Sequence, residues 1–118
     1  MRVITINTEQ KQINTENINP NELNSFVDSF VQGTSIRLMI DDFSHCIFIN
    51  RDAVRYEPAT GFYFIDKLLS QPIFGNAVIV QYNGDYVSCE VDVSKIAEHV
   101  VFLTESQARC AMDHYYYL

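Results

Sequence analysis

The patterning of this chain predicts an α+β fold: a mainly antiparallel sheet of about five to six strands, packed by an N-terminal amphipathic helix and a C-terminal helix. Three observations carry that expectation. Residues 76–93 read as a hairpin, because a nearly unbroken apolar run from Asn76 to Tyr82 meets Asn83-Gly84 and then an alternating return strand. Residues 20–31 carry an apolar stripe at helical spacing. Thr104-Glu105-Ser106-Gln107 has the form of a capping box, with Thr at the cap and Gln three residues on.

In the hairpin, Asn83-Gly84 suits a two-residue type I′ turn, whose two positions both need positive φ. Such a turn sets Val80 opposite Val87 and Val78 opposite Cys89. Val87, Cys89, Val91 and Val93 then share the inward face, and Tyr86, Ser88, Glu90 and Asp92 the outward one. The first helix opens at Asn19, a good N-cap, with Pro20 in the first position and Glu22 complementing the dipole. Leu23, Phe26, Val27, Phe30 and Val31 form its stripe, and Gly33 is placed to take the left-handed conformation that ends it.

The remaining elements follow from shorter signals. Arg2–Asn7 and Lys11–Asn14 read as a short hairpin, or as one strand with a trailing extension. Ile36, Leu38 and Ile40 alternate with Arg37 and Met39; turn chemistry at 41–44 and a return strand at 45–50 complete a second hairpin. Residues 51–58 are polar and expected to be irregular. Residues 61–70 fit a short helix through Phe62, Ile65, Leu68 and Leu69, or a strand through Phe62 and Phe64; the helix is preferred because Pro72 closes it. Ser94 caps a short turn, Val100–Leu103 is a strand, and the C-terminal helix runs to about His114.

Composition narrows the function. A chain of 118 residues, 47% hydrophobic and 19% charged, suits one globular domain over residues 1–118 rather than a disordered segment. The net charge of −7 argues against direct binding to nucleic acid or an anionic membrane, since both need a basic face. Cys46, Cys89 and Cys110 are odd in number and lack CxxC spacing, and no apolar run approaches the length of a membrane span. The expectation is a cytoplasmic protein with reduced thiols and no cofactor.

Catalytic patterns are sparse. His45 adjoins Cys46, but neighbours on a strand point to opposite faces. Cys110 and His114, at i and i+4 on a helix, make the best nucleophile–base pair, without a third member to orient the histidine. The same two residues beside Asp113 are the nearest approach to metal-ligand spacing, and His45, Cys89 and His99 are scattered, so no metal is expected. Gly33, Gly61, Gly75 and Gly84 sit at caps or turns, and no phosphate-cradling loop occurs.

Binding patterns are richer. Asp85, Tyr86, Glu90 and Asp92 would present carboxylates about 7 Å apart along an outward strand face. Tyr115, Tyr116 and Tyr117 form an aromatic run that either folds back on its own domain or docks on a second copy or a partner. An acidic and aromatic surface of this kind suits a protein partner with a basic face. Arg51, Arg55, Tyr56, Phe62 and Tyr63 mix rings with guanidinium groups and offer an alternative pocket for a nucleotide-like ligand.

The succession NELNSFVDSFVQGTSIRLMI, HCIFIN and FGNAVIV, with Gly33, Asn50, Gly75 and Asn76 at its joints, resembles the small proteins of the family named domain of unknown function 3846 over about residues 1–82. The resemblance implies an N-terminal strand, an amphipathic helix, a strand pair and a closing strand, in proteins commonly encoded by phages and mobile elements. It implies no activity and no site residues. The long second hairpin and the C-terminal helix extend beyond the shared pattern. Together with the acidic surface, it leads to the expectation of a non-enzymatic inhibitor of a bacterial host protein of defence or nucleic-acid processing. A ligand-sequestering protein and a small thiol-dependent enzyme are the alternatives.

Overall fold

The computed structural model describes residues 1–40, 44–53, 60–66, 68–69 and 71–116, the last three as backbone. The expected turn at 41–43 and residues 54–59 of the polar connection lie outside the described residues. Among the described residues there are nine strands: β1 (Arg2–Asn7), β2 (Gln12–Asn17), β3 (Ser35–Met39), β4 (His45–Asn50), β5 (Gly61–Phe64), β6 (Ile73–Phe74), β7 (Ala77–Tyr82), β8 (Tyr86–Val87) and β9 (Val100–Phe102). The main sheet has six of them in the order β2-β1-β7-β4-β3, with β8 pairing the end of β7; β6-β5-β9 make a second, smaller sheet. Every pairing among the described residues is antiparallel. The chain is therefore α+β with a mainly antiparallel sheet, as its patterning predicts.

β7 is central because its sequence can be buried on both sides. Val78 and Val80 face a cluster with Val3, Cys46 and Phe48, over which helix α1 (Leu23–Val31) lays Leu23, Val27 and Val31. Ala77 and Ile79 face the opposite way and join Ile4, Ile6 and Ile47 against Phe62, Phe64 and Ile73 of the smaller sheet. A short helix α2 (Val93–Ala97) adds Ile96 to this second cluster. Helix α3 (Glu105–Tyr116) buries Ala108 and Met112 against Ala53, Phe74 and Leu103. The capping box at its start is reciprocal: Gln107 N–H donates to Thr104 Oγ1 at 3.1 Å, and Thr104 N–H to Gln107 Oε1 at 2.9 Å. No described helix is long and apolar enough to cross a membrane.

Four local expectations are corrected. Residues 61–64 form strand β5, not the start of a helix, because Phe62 and Phe64 both point inward while β6 and β9 pair on either side. The Asn83-Gly84 hairpin has a three-residue tip, since Tyr82 pairs with Tyr86 and Gln81 with Val87. This register lets two tyrosine rings meet across the strands, a favourable cross-strand pair. It also slips the return strand by one residue, which turns every side chain to the other face. Cys89 and Val91 therefore join the cluster of Ile79, not that of Val78 and Val80.

The return strand also ends at Val87, short of the expected Val93. The edge of β7 that it would follow is already taken by β1 at Ala77–Ile79. The diverging chain is held instead by Cys89 N–H to the Arg2 carbonyl, at 2.8 Å, and by Arg2 N–H to Ser88 Oγ, also at 2.8 Å. Finally, the left-handed residue after α1 is Gln32 (φ 63°) and not Gly33.

That ending of α1 is supported from the sheet. Asn50, only 4% exposed, donates through Nδ2 to the Val31 carbonyl at 2.8 Å and the Gln32 carbonyl at 3.2 Å, and accepts from Asp52 N–H at 2.8 Å. Asn50→Ala leaves these groups without their partner in a site closed to water, so urea denaturation should show a loss of about 1–3 kcal/mol. A loss within error of zero would mean that the helix end is not held by this amide.

Candidate binding surface

The slipped register of β7 and β8 builds an aromatic and cationic cluster that the sequence patterning did not single out. Tyr82 and Tyr86 sit directly opposite, with ring centroids 5.2 Å apart, and the Tyr86 ring lies 5.7 Å from Phe48. Arg37, paired with Phe48 across β3 and β4, shares that face. Its Nη1 donates to the Tyr86 hydroxyl at 2.8 Å, and its guanidinium carbon lies 5.1 Å from the Tyr82 centroid and 5.9 Å from that of Tyr86. The hydrogen bond to Tyr86 raises the Arg37 pKa further above its ordinary value. Both tyrosines are half-buried and Arg37 is exposed, so the cluster presents two ring edges and a cation on the surface.

Of the expected acidic row, Tyr86 is turned toward this cluster and not outward. Asp85 is exposed at the hairpin tip, where its Oδ1 accepts from Tyr86 N–H at 2.9 Å. Glu90 and Asp92 are exposed as well, but beyond the end of β8, so the regular two-residue pitch expected of them is lost. Arg2 fixes their segment: its Nη1 donates to the Cys89 carbonyl and, at 2.9 Å, to the Val91 carbonyl. Glu90 and Asp92 are therefore carried on a loop tethered to β1. Tyr115 and Tyr116 close α3 as backbone, and Tyr117 lies outside the described residues.

Of the described residues of the alternative pocket, Phe62 and Tyr63 point to opposite faces of β5. Phe62 is 0% exposed and has no ring face open to a ligand, whereas its strand neighbour Tyr63 points the other way and is 40% exposed. Arg51 borders a cavity of about 240 Å³ walled by Ile49, Ala53, Pro72 and Phe74, and it pairs with Asp52 at 3.5 Å. Arg55 and Tyr56 lie outside the described residues.

The thiols divide by environment. Cys46 and Cys89 are fully buried and Cys110 is exposed on α3, with His114 one turn further along. Burial pushes the Cys46 thiol up to about 11, against a smaller opposite pull from Arg37. Among the described residues no group of three or more His, Cys, Asp or Glu is placed to hold a metal ion.

Sequence patterning alone does not mark Tyr82 or Arg37 as surface-binding residues. Tyrosines four apart around a Gly turn are a usable signal once a three-residue tip is considered, and Arg37 is the one charged residue within an otherwise apolar strand. No protein-family model, curated protein or solved structure matches the chain.

The raised Cys46 thiol sets a pH dependence. Above the ordinary thiol value of 9.0 the unfolded chain releases this proton, while the folded chain keeps it until about 11. Stability should therefore fall as pH rises through that window. Cys46→Val should flatten this part of the curve in denaturation measured from pH 8 to 11. An unchanged slope would show that Cys46 does not titrate there.

Proposed function

We propose that this chain is a non-enzymatic binding protein that captures a partner with a basic surface. The observation that carries the reading is the Tyr82–Tyr86 pair under Arg37, with the exposed Asp85 beside it at the hairpin tip. Half-buried tyrosines held rigid by neighbours lose little entropy on docking, and they supply large contact area with a polar tip. The net charge of −7 accelerates encounter with a basic protein. The resemblance to a family carried by phages and mobile elements supports a host protein as the target, with inhibition of a defence or nucleic-acid-processing protein as the role. The bacterial cytoplasm is then the place of action.

A second reading, sequestration of a nucleotide-like ligand, rests on Arg51 at the rim of the 240 Å³ cavity. It has weaker support, because Phe62 and Tyr63 do not line that cavity.

Capture from a bacterial lysate with mass spectrometry identifies the partner, and binding kinetics then test the reading. Glu90→Lys with Asp92→Lys should lower the on-rate and its dependence on ionic strength. Tyr86→Ala should raise the off-rate by about tenfold or more. Binding indifferent to salt and to both changes, alongside tight calorimetric binding of a free nucleotide, would overturn the reading in favour of the cavity.

A further inference from the structure

β3 is an outer strand of the main sheet, and its hydrogen-bond direction can be read from its neighbours. Ile40 N–H bonds the His45 carbonyl at 3.1 Å, and Arg51 N–H bonds the Thr34 carbonyl at 2.9 Å. Between them the register with β4 runs unbroken from Ser35–Asn50 to Met39–Cys46. In an antiparallel ladder alternate residues bond the same neighbour. Thr34, Ile36, Leu38 and Ile40 therefore direct their main-chain groups to β4, and Ser35, Arg37 and Met39 direct theirs away from the sheet. No described strand pairs with that side.

Outer strands are usually blunted by a bulge, a proline or a projecting charge. β3 has neither bulge nor proline. Its one charge, Arg37, is drawn over the Tyr82 and Tyr86 rings. The opposite edge differs, since β2 is polar except at Ile13. We infer that β3 accepts an extended segment of the partner protein by strand addition, with a carboxylate of that segment meeting Arg37. This rests on the binding role proposed above and names the part of the partner that enters.

Charge selects this occupant. Among the described residues no carboxylate forms an ion pair with Arg37. A second copy of the chain, fully overlapped on β3, would set Arg37 opposite Arg37, and like charges directly opposite destabilise a strand pair. The net charge of −7 opposes self-association further. A segment that is basic overall, with a single acidic residue over Arg37, suits both Arg37 and the net charge of −7. Main-chain bonds supply its affinity, and the residue facing Arg37 supplies its selectivity.

The test is an NMR titration of the full ¹⁵N-labelled chain with two capped synthetic peptides, KTVEVTK and KTVKVTK. KTVEVTK should shift the amides of Ser35, Arg37 and Met39 more than those of Ile36 and Leu38, and bind about threefold tighter than KTVKVTK. Arg37→Glu should reverse the preference, and Ser35→Pro should weaken both peptides while leaving the ladder to β4 intact. Shifts away from β3, equal affinity for the two peptides, or no binding of either would overturn strand addition. If the captured partner still depended on Tyr86 and Glu90, the binding role would survive that failure. Loss of the latter dependence with the peptide result intact would overturn the role and not the edge.

Discussion

The carboxyl end of α1 is the point on which the layers depend. A helix leaves its last carbonyls without partners, and here two asparagine side chains from the main sheet approach them. Asn50 closes β4 and donates to the Val31 and Gln32 carbonyls; Asn76 precedes β7 and donates to the Phe30 carbonyl at 3.3 Å. The same Asn76 accepts from Thr8 N–H at 3.0 Å beyond the end of β1. Thr8 Oγ1 then donates to Thr60 Oγ1 at 2.9 Å, and the Thr60 carbonyl accepts from Gly75 N–H at 3.0 Å. One run of hydrogen bonds thus links α1, the main sheet and the approach to the smaller sheet. Gly75, at φ 79°, provides the backbone reversal that admits Asn76 to this position.

This convergence gives physical content to the sequence pattern around Gly33, Asn50, Gly75 and Asn76. Gly33 N–H bonds the Asp28 carbonyl at 3.1 Å, so all four residues act at or beside one helix end. Their work is to orient α1 on β4 and β7. β3 starts at this joint, since Ser35 pairs with Asn50, and the tyrosine pair lies at the far end of β7.

Where local chemistry decided the structure, the sequence was readable. Asn19 accepts from Asn21 N–H at 3.0 Å ahead of α1, and the Thr104–Gln107 box forms with both of its bonds. β7 announced itself because only a strand buried on both faces can be so uniformly apolar. Tertiary competition decided the rest. The return strand after Tyr86 was cut short by β1, a contact some 80 residues distant that no local pattern reveals. Residues 61–64 became a strand because β9 was available to pair with them. The candidate surface was legible only in part: Asp85, Tyr86 and Glu90 were identified, but the one-residue slip that brings Tyr86 to Tyr82 and Arg37 was hidden by a turn compatible with two loop lengths.

The pairing of β1 with β7 has a consequence for synthesis. Ile4 bonds beside Ile79, so 75 residues separate a strand from the neighbour that completes its edge. At about 5–20 residues per second, translation leaves an interval of roughly 4–15 seconds between them. Throughout that time Val3, Ile4 and Ile6 lack the β7 residues against which they are buried in the folded chain. Most other pairings, β3 with β4 among them, are short in sequence and close quickly. The main sheet therefore cannot close until β7 takes its place between β1 and β4, so its completion waits on one of the last strands to be made.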